Sequence, residues 1–340
     1  MTQLDSTHGV ADCDRPGRAR MAICWAVLVF TIPYLLLKVL WVCGLDVGVH
    51  GSVMRGGTMT GVNLATIGMD VIAATVSVGL VRPWGRRVPA WLLIFPMWVA
   101  TGFLAPIVIG APTASLAGAV FDSGTTGQAR GAHAPDDIAP WVFAMVYTGF
   151  ILQGLGLAAG FVLHARGRWG HILRWRLREL PIGPLAGVQR TMAAGVGAFT
   201  LIPSLVNLYW AAGGHGGLYD DGNAATRLVM HGVFALLPLV GVAGMLILTR
   251  HRDSGPARRP LVAAWIGTAS SFSWGLWWVA SGLVQSTLAG DHDMRPLIAV
   301  GCMMMLAGAV LATVLALVVA QTETQRTGSG SAPKEAPCQC

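Results

Sequence analysis

Four side chains that can carry charge or share a proton stand inside runs that are otherwise apolar: Lys38, Asp70, Asn207 and His231. A charge in hydrocarbon costs several kcal/mol unless it is paired or hydrated, so each of these residues calls for a partner or a water-lined cavity. Lys38 lies about 9 Å below the outer end of its run at ~1.5 Å per helical residue, and Asp70 about 12 Å below the same side of the next. Consecutive spans are antiparallel, so Lys38 and Asp70 can form an ion pair. Asn207 and His231 take the matching places in the second half of the chain and can form a hydrogen-bonded pair with one titratable member. Three uses fit these residues. Lys38–Asp70 latches two helices while His231 merely hydrogen-bonds Asn207, or the four line an outward-opening cavity that binds a ligand or ion, with Trp41 and Trp210 at its mouth, or the two pairs serve separate ends. Tryptophan is also the ordinary anchor at a membrane interface.

The matching places come from an internal repeat. Residues 38–49 read KVLWVCGLDVGV and residues 207–218 read NLYWAAGGHGGL, which aligns Lys38 with Asn207, Trp41 with Trp210, Gly44 with Gly213 and Gly48 with Gly217. Trp98-Val-Ala-Thr-Gly102 recurs as Trp278-Val-Ala-Ser-Gly282, and Met69-Asp70 falls against Met230-His231. The order is kept, which predicts tandem copies related by a pseudo-twofold axis along the membrane normal. Gly44 and Gly213 read as helix C-caps, where glycine accepts a left-handed backbone without strain.

The elements that carry these residues follow from composition. Hydrophobic residues make up 54% of the 340 and charged residues only 11%, against about 25% charge in a soluble domain. A hydrocarbon core of about 30 Å needs about 20 apolar residues per helix. Eight runs meet that need: 21–44, 62–81, 88–110, 140–164, 187–212, 226–249, 261–287 and 296–320. The expected fold is therefore an all-α polytopic membrane bundle of eight transmembrane helices, arranged as two parallel four-helix repeats over 21–164 and 187–320. Span 4 carries Gly154/Ala158 and Gly156/Gly160, spaced for close helix approach. Pro33, Pro96, Pro203 and Pro238 permit kinks.

Most of the 23 Lys and Arg fall in the N-terminal tail 1–20, the loops 82–87, 165–190 and 250–260, and the C-terminal tail 321–340. Arg55, Arg130, Arg227 and Arg295 fall on the other side, which instead holds Asp46, Asp122, Asp136, Asp137, Asp220, Asp221, Asp291 and Asp293. This asymmetry places both termini in the cytoplasm of a multi-pass cell-membrane protein. The net charge of +7 is then a topology signal, and nucleic-acid binding is not expected. The first run exceeds a signal-peptide core and reads as an uncleaved signal-anchor.

Within 165–186, Trp169, Leu173, Leu177 and Leu180 form one helical stripe amid Arg166, Arg168, Arg174, Arg176 and Arg178. That pattern predicts a basic amphipathic linker helix held against the anionic inner leaflet of the lipid bilayer. A solvated basic linker fits as well. Cys24, Cys43 and Cys302 sit in or beside spans, and no C-x-x-C is present. The spacing of His215 with Asp220 and Asp221, or of His292 between Asp291 and Asp293, matches no defined metal motif, so no metal site is expected. The Gly/Ser/Pro tail ending in Cys338 and Cys340 reads as flexible. No H-E-x-x-H, G-x-S-x-G or P-loop occurs, no catalytic residue is assigned, and the residues do not point to a particular cofactor.

The stretch Asn207-Leu-Tyr-Trp-Ala-Ala-Gly-Gly214 resembles an actinobacterial family of small four-span membrane proteins, catalogued as a domain of unknown function. Its signature is a polar residue ahead of Tyr-Trp, followed by a Gly-Gly pair and a further Gly. The resemblance implies a four-span unit, here in tandem, and implies no activity. This chain departs from it with Lys38 and Asn207 at the polar position and Gly44-Leu45 in place of the glycine pair. The Arg, Ala and Gly richness also looks actinobacterial.

Three function classes follow. The first is a transporter, exporter or binder of a small hydrophobic or cationic molecule at the interface of the two halves. The second is a membrane-embedded enzyme acting on a lipid or isoprenoid substrate, with Asp70 and His231 as acid and base. The third is a scaffold or sensor whose basic inner face docks a partner.

Overall fold

A computed structural model describes residues 18–49, 57–82, 87–121, 138–180, 183–214, 216, 224–250, 255–288 and 293–329. Eight long helices run through them: α1 (Arg18–Val42), α2 (Gly57–Val81), α3 (Ala90–Phe121), α4 (Pro140–Trp169), α5 (Ala186–Ala211), α6 (Ala224–Arg250), α7 (Arg258–Leu288) and α8 (Arg295–Ser329). The described residues contain no strand beyond two isolated bridges, Val49 with Ile138 and Arg176 with Pro256.

Each helix takes up one of the eight apolar runs, to within two residues at the ends. Seven are long and apolar enough to cross a membrane, as in an integral membrane protein. The exception is α7, whose 31 residues are ample in length. Its Thr268, Ser270, Ser271, Ser273 and Gly275 dilute the apolar average, and the four hydroxyl residues are buried. A helix enclosed by protein can carry such residues because neighbouring backbone satisfies them: Ser271 donates to the Met304 carbonyl of α8 at 2.8 Å.

The chain divides into two compact units, Met1–Arg168 and Trp169–Cys340. In the first unit, Cys24, Val27, Val76, Leu80, Leu93, Met97 and Leu157 form a buried core among α1–α4. The glycines of α4 serve two neighbours. A Cβ on Gly156 would strike Val27 of α1, and one on Gly160 would reach the Cys24 Sγ at 3.5 Å. Gly154 instead faces Leu104 and Val108 of α3. A second cluster of Leu37, Trp41, Val49 and Val142 closes the other end, where the Ala139 N–H donates to the Gly48 carbonyl at 2.9 Å.

In the second unit glycines set the helix spacing more tightly. A Cβ on Gly241 of α6 would stand 2.8 Å from the Gly267 Cα of α7, and one on Gly301 of α8 would stand 2.9 Å from the Gly275 oxygen of α7. Backbones this close exchange dispersion contacts along their length, which replaces the missing hydrophobic drive between helices in lipid.

The linker differs from the expected amphipathic helix. After α4 ends at Trp169, the chain makes two short 3₁₀ turns, Ile172–Arg174 and Leu177–Glu179. Trp175, Leu177 and Leu180 are buried in the second unit's core with Met245, Leu248 and Leu311, while Arg174, Arg176 and Arg178 are exposed. A two-residue alternation from 174 to 178, apolar in and basic out, overrides the helical stripe. Backbone bonds from Leu177 N–H to the Gly255 carbonyl at 3.0 Å and from Ala257 N–H to the Trp175 carbonyl at 2.9 Å tie the segment to the start of α7.

Candidate functional site

In the first unit Lys38 and Asp70 meet. The Lys38 Nζ donates to Asp70 Oδ2 at 2.7 Å, with Lys38 1% and Asp70 6% exposed. Lys38 sits in the last turns of α1, and helical side chains lean toward the helix N-terminus, so its ammonium is carried inward from its Cα. The Tyr34 ring, one turn earlier on α1, lies 3.9 Å from that ammonium and holds it by cation–π attraction. Helix α2 starts at Gly57, ahead of the apolar run, which puts Asp70 about 20 Å from one end of the helix and about 16 Å from the other at ~1.5 Å per residue.

Asp70 also borders a shallow, open cleft of ≈ 320 Å³ on the outer surface of α1 and α2, lined otherwise by Leu35, Val71, Ala74, Thr75 and Val78, of which Val71 and Thr75 are exposed. The Thr75 hydroxyl is engaged with the Val71 carbonyl at 2.8 Å, so Asp70 is the charged group of an otherwise aliphatic wall. Lys38 accounts for Oδ2; the other carboxylate oxygen accepts no hydrogen bond from a described residue.

In the second unit Asn207 and His231 meet in the same way. The Asn207 Oδ1 lies 3.0 Å from His231 Nδ1, with Asn207 fully buried and His231 8% exposed. The amide orientation follows from its other contacts. Asn207 Nδ2 donates to the Pro203 carbonyl at 2.9 Å and approaches Met304 Sδ at 3.9 Å. With the nitrogen so engaged, Oδ1 faces the imidazole and accepts, which makes Nδ1 the protonated nitrogen and Nε2 the one with the lone pair in the neutral ring. Three aromatic rings enclose the imidazole: Trp210 at 5.5 Å, Phe234 at 6.0 Å and Trp278 at 6.0 Å between centroids.

Trp41 and Trp210 are buried inside their own units. The Trp41 Nε1–H donates to the Val47 carbonyl at 2.9 Å, and the Trp210 Nε1–H to the Gly216 carbonyl at 2.9 Å. Each indole thus clamps the loop that follows its helix. The helix ends agree atom for atom. Leu45 N–H bonds to the Leu40 carbonyl and Gly214 N–H to the Tyr209 carbonyl, both at 2.9 Å, across Gly44 at φ +84° and Gly213 at φ +98°. Deeper in the two helices, the Thr31 hydroxyl donates to the Val27 carbonyl at 2.8 Å and the Thr200 hydroxyl to the Val196 carbonyl at 2.7 Å. Every partner in the second set lies 169 positions after its counterpart in the first.

Tyr34, Trp278 and Met304 complete these sites and escaped the sequence reading. Tyr34 had a signal, its position one helical turn before Lys38. Trp278 stood in the second repeated motif but was not tied to His231, because nothing in the spacing of α6 and α7 sets which faces meet. Met304 had none. His215, Asp220, Asp221, Asp291 and His292, the weakly metal-like loops, lie outside the described residues, as do the N-terminal tail through Gly17 and the tail with Cys338 and Cys340. Among the described residues no group of three or more His, Cys, Asp or Glu is placed to hold a metal ion. The chain matches no protein-family model, no curated protein and no solved structure.

Proposed function

We propose that this protein is a cell-membrane carrier built by tandem duplication of a four-helix unit, both termini cytoplasmic, which binds a small, largely apolar molecule drawn from the bilayer. Duplication is supported by the in-register hydrogen bonds of α1 and α5, and it accommodates the resemblance of 207–214 to a four-span family. The orientation is supported by the asymmetry of arginine, and the exposed Arg174, Arg176 and Arg178 are suited to the anionic inner leaflet. The observation that carries the binding role is the cleft on α1 and α2: an aliphatic recess of ≈ 320 Å³ with a carboxylate on its wall. Ligand sites combine apolar surface with a few placed polar groups, and this shallow recess offers both to a molecule lying alongside the two helices. The duplicated polar pairs have diverged. Lys38–Asp70 is an acid–base pair beside the cleft, whereas Asn207–His231 is packed among aromatic rings.

Photolabelling tests the cleft. The full-length protein in phospholipid nanodiscs is irradiated with a diazirine-bearing dodecane, and the adducts are mapped by mass spectrometry. Labelling should concentrate on Val71, Thr75 and Val78 and fall when Ala74→Leu fills the recess. Equal labelling of every outward apolar position, such as Leu36 or Leu201, unaltered by that substitution, would overturn the proposal.

A further inference from the structure

We infer that the ligand of the α1–α2 cleft is a neutral apolar molecule with a single hydrogen-bond donor, a long-chain alcohol in chemical class, whose hydroxyl donates to the Asp70 carboxylate. This deepens the cleft reading above and rests on it.

The first ground is unused acceptor capacity. A carboxylate has about four lone-pair sites. Lys38 fills one side through Oδ2 at 2.7 Å, and no other described residue donates a hydrogen bond to the Asp70 carboxylate. The remaining acceptor capacity belongs to a residue that lines an aliphatic cleft. An acceptor left unpaired away from water is costly, more so when it is charged.

The second ground is depth. Asp70 stands near the middle of α2, and the Lys38 that reaches it lies about 6 Å of helix from the end of α1 with its side chain leaning inward, so the pair sits below the helix ends on that side. The ester and phosphate groups of a phospholipid border a hydrocarbon core of about 30 Å, so they lie about 15 Å from its centre. A resident acyl chain can fill the cleft but brings only methylene to the carboxylate. A donor at that depth has to arrive on a molecule apolar enough to enter the bilayer core.

The third ground is charge. The Lys38 ammonium already neutralises Asp70, and the Tyr34 ring covers its other flank at 3.9 Å. A second cation on the same carboxylate would sit within a few ångströms of that ammonium in a low dielectric, where like charges repel strongly. A hydroxyl makes the same hydrogen bond without adding charge. The aliphatic side chains of Leu35, Val71 and Val78 then take the chain.

Three photoreactive probes that share one diazirine-bearing dodecyl chain decide the matter: dodecanol, dodecylamine and dodecane, each with the full-length protein in phospholipid nanodiscs. Dodecanol should label the α2 segment 70–78 about tenfold more efficiently than dodecane, as expected for one hydrogen bond to a charged acceptor, and should exceed dodecylamine. In the double variant Lys38→Met with Asp70→Leu, which leaves no unpaired charge, dodecanol should drop to the dodecane level. Ala74→Leu keeps the ion pair and should abolish cleft labelling by all three. Equal labelling by dodecanol and dodecane would overturn this inference and leave the cleft reading standing. Preference for dodecylamine would overturn it in favour of a cation. Failure of every probe to concentrate in the cleft would overturn the cleft reading itself.

Discussion

Trp41 and Trp210 do the same job in the two units: each sends its indole N–H to the carbonyl six residues further on, at 2.9 Å in both cases. The bond closes the loop that follows a glycine-capped helix, and it buries an aromatic ring that would otherwise serve only as an interface anchor. A tryptophan repeated at a helix end is thus explained by a polar contact that phenylalanine cannot make.

Trp41→Phe and Trp210→Phe should therefore each destabilise the protein by about 1 kcal/mol, the usual worth of one hydrogen bond. Thermal unfolding in detergent, followed by near-ultraviolet circular dichroism, reads both. Similar losses from the two substitutions are expected because the bonds are alike. A large loss from one and none from the other would show that the two loops are held differently.

Helix spacing in the second unit leads to a sharper expectation. A methyl group on Gly267 would collide with the Gly241 backbone, and backbone cannot yield as a flexible side chain can. Gly267→Ala should cost about 1–3 kcal/mol. Gly232→Ala on α6, where a Cβ would meet nothing within 4 Å, should be neutral or slightly stabilising because alanine is the better helix former. The two variants, compared by thermal unfolding, separate packing from propensity.

The imidazole of His231 offers a spectroscopic check. If Asn207 Oδ1 accepts from Nδ1–H, the ¹⁵N chemical shifts of His231 in the neutral protein should report a protonated Nδ1 and a bare Nε2. Asn207→Leu, which removes the acceptor, should shift the ring toward the Nε2–H tautomer. Unchanged ¹⁵N shifts in that variant would mean that another group sets the tautomer.

Much of this structure was legible from residue order alone, and what was missed has physical causes. Eight apolar runs were readable because a hydrocarbon core demands a minimum length of apolar chain, and each run falls in one of the eight helices to within two residues at its ends. Lys38–Asp70 and Asn207–His231 could be paired because consecutive spans are antiparallel and depth along a helix scales with residue count. The start of α2 was not legible: residues 57–61 ahead of the apolar run are uncharged and continue the helix. The linker misled because Trp169, Leu173, Leu177 and Leu180 form a helical stripe, whereas the core takes up Trp175, off that stripe, together with Leu177 and Leu180. Helix α7 could be counted as a span from its length and ends, but its buried serines and threonine show that it faces protein on several sides. Which faces of α6, α7 and α8 meet is decided by where glycines allow backbones to touch, and a single sequence does not rank its 44 glycines.

Lys38 and Asp70 share one buried ion pair beside the cleft, and a double-mutant cycle on thermal stability measures that pairing directly. Lys38→Met and Asp70→Leu alone should each cost about 3–5 kcal/mol by stranding a buried charge, while the double variant should lose far less than their sum. Strictly additive losses would contradict the pair, and with it the claim that the cleft is lined by a carboxylate held in place by lysine.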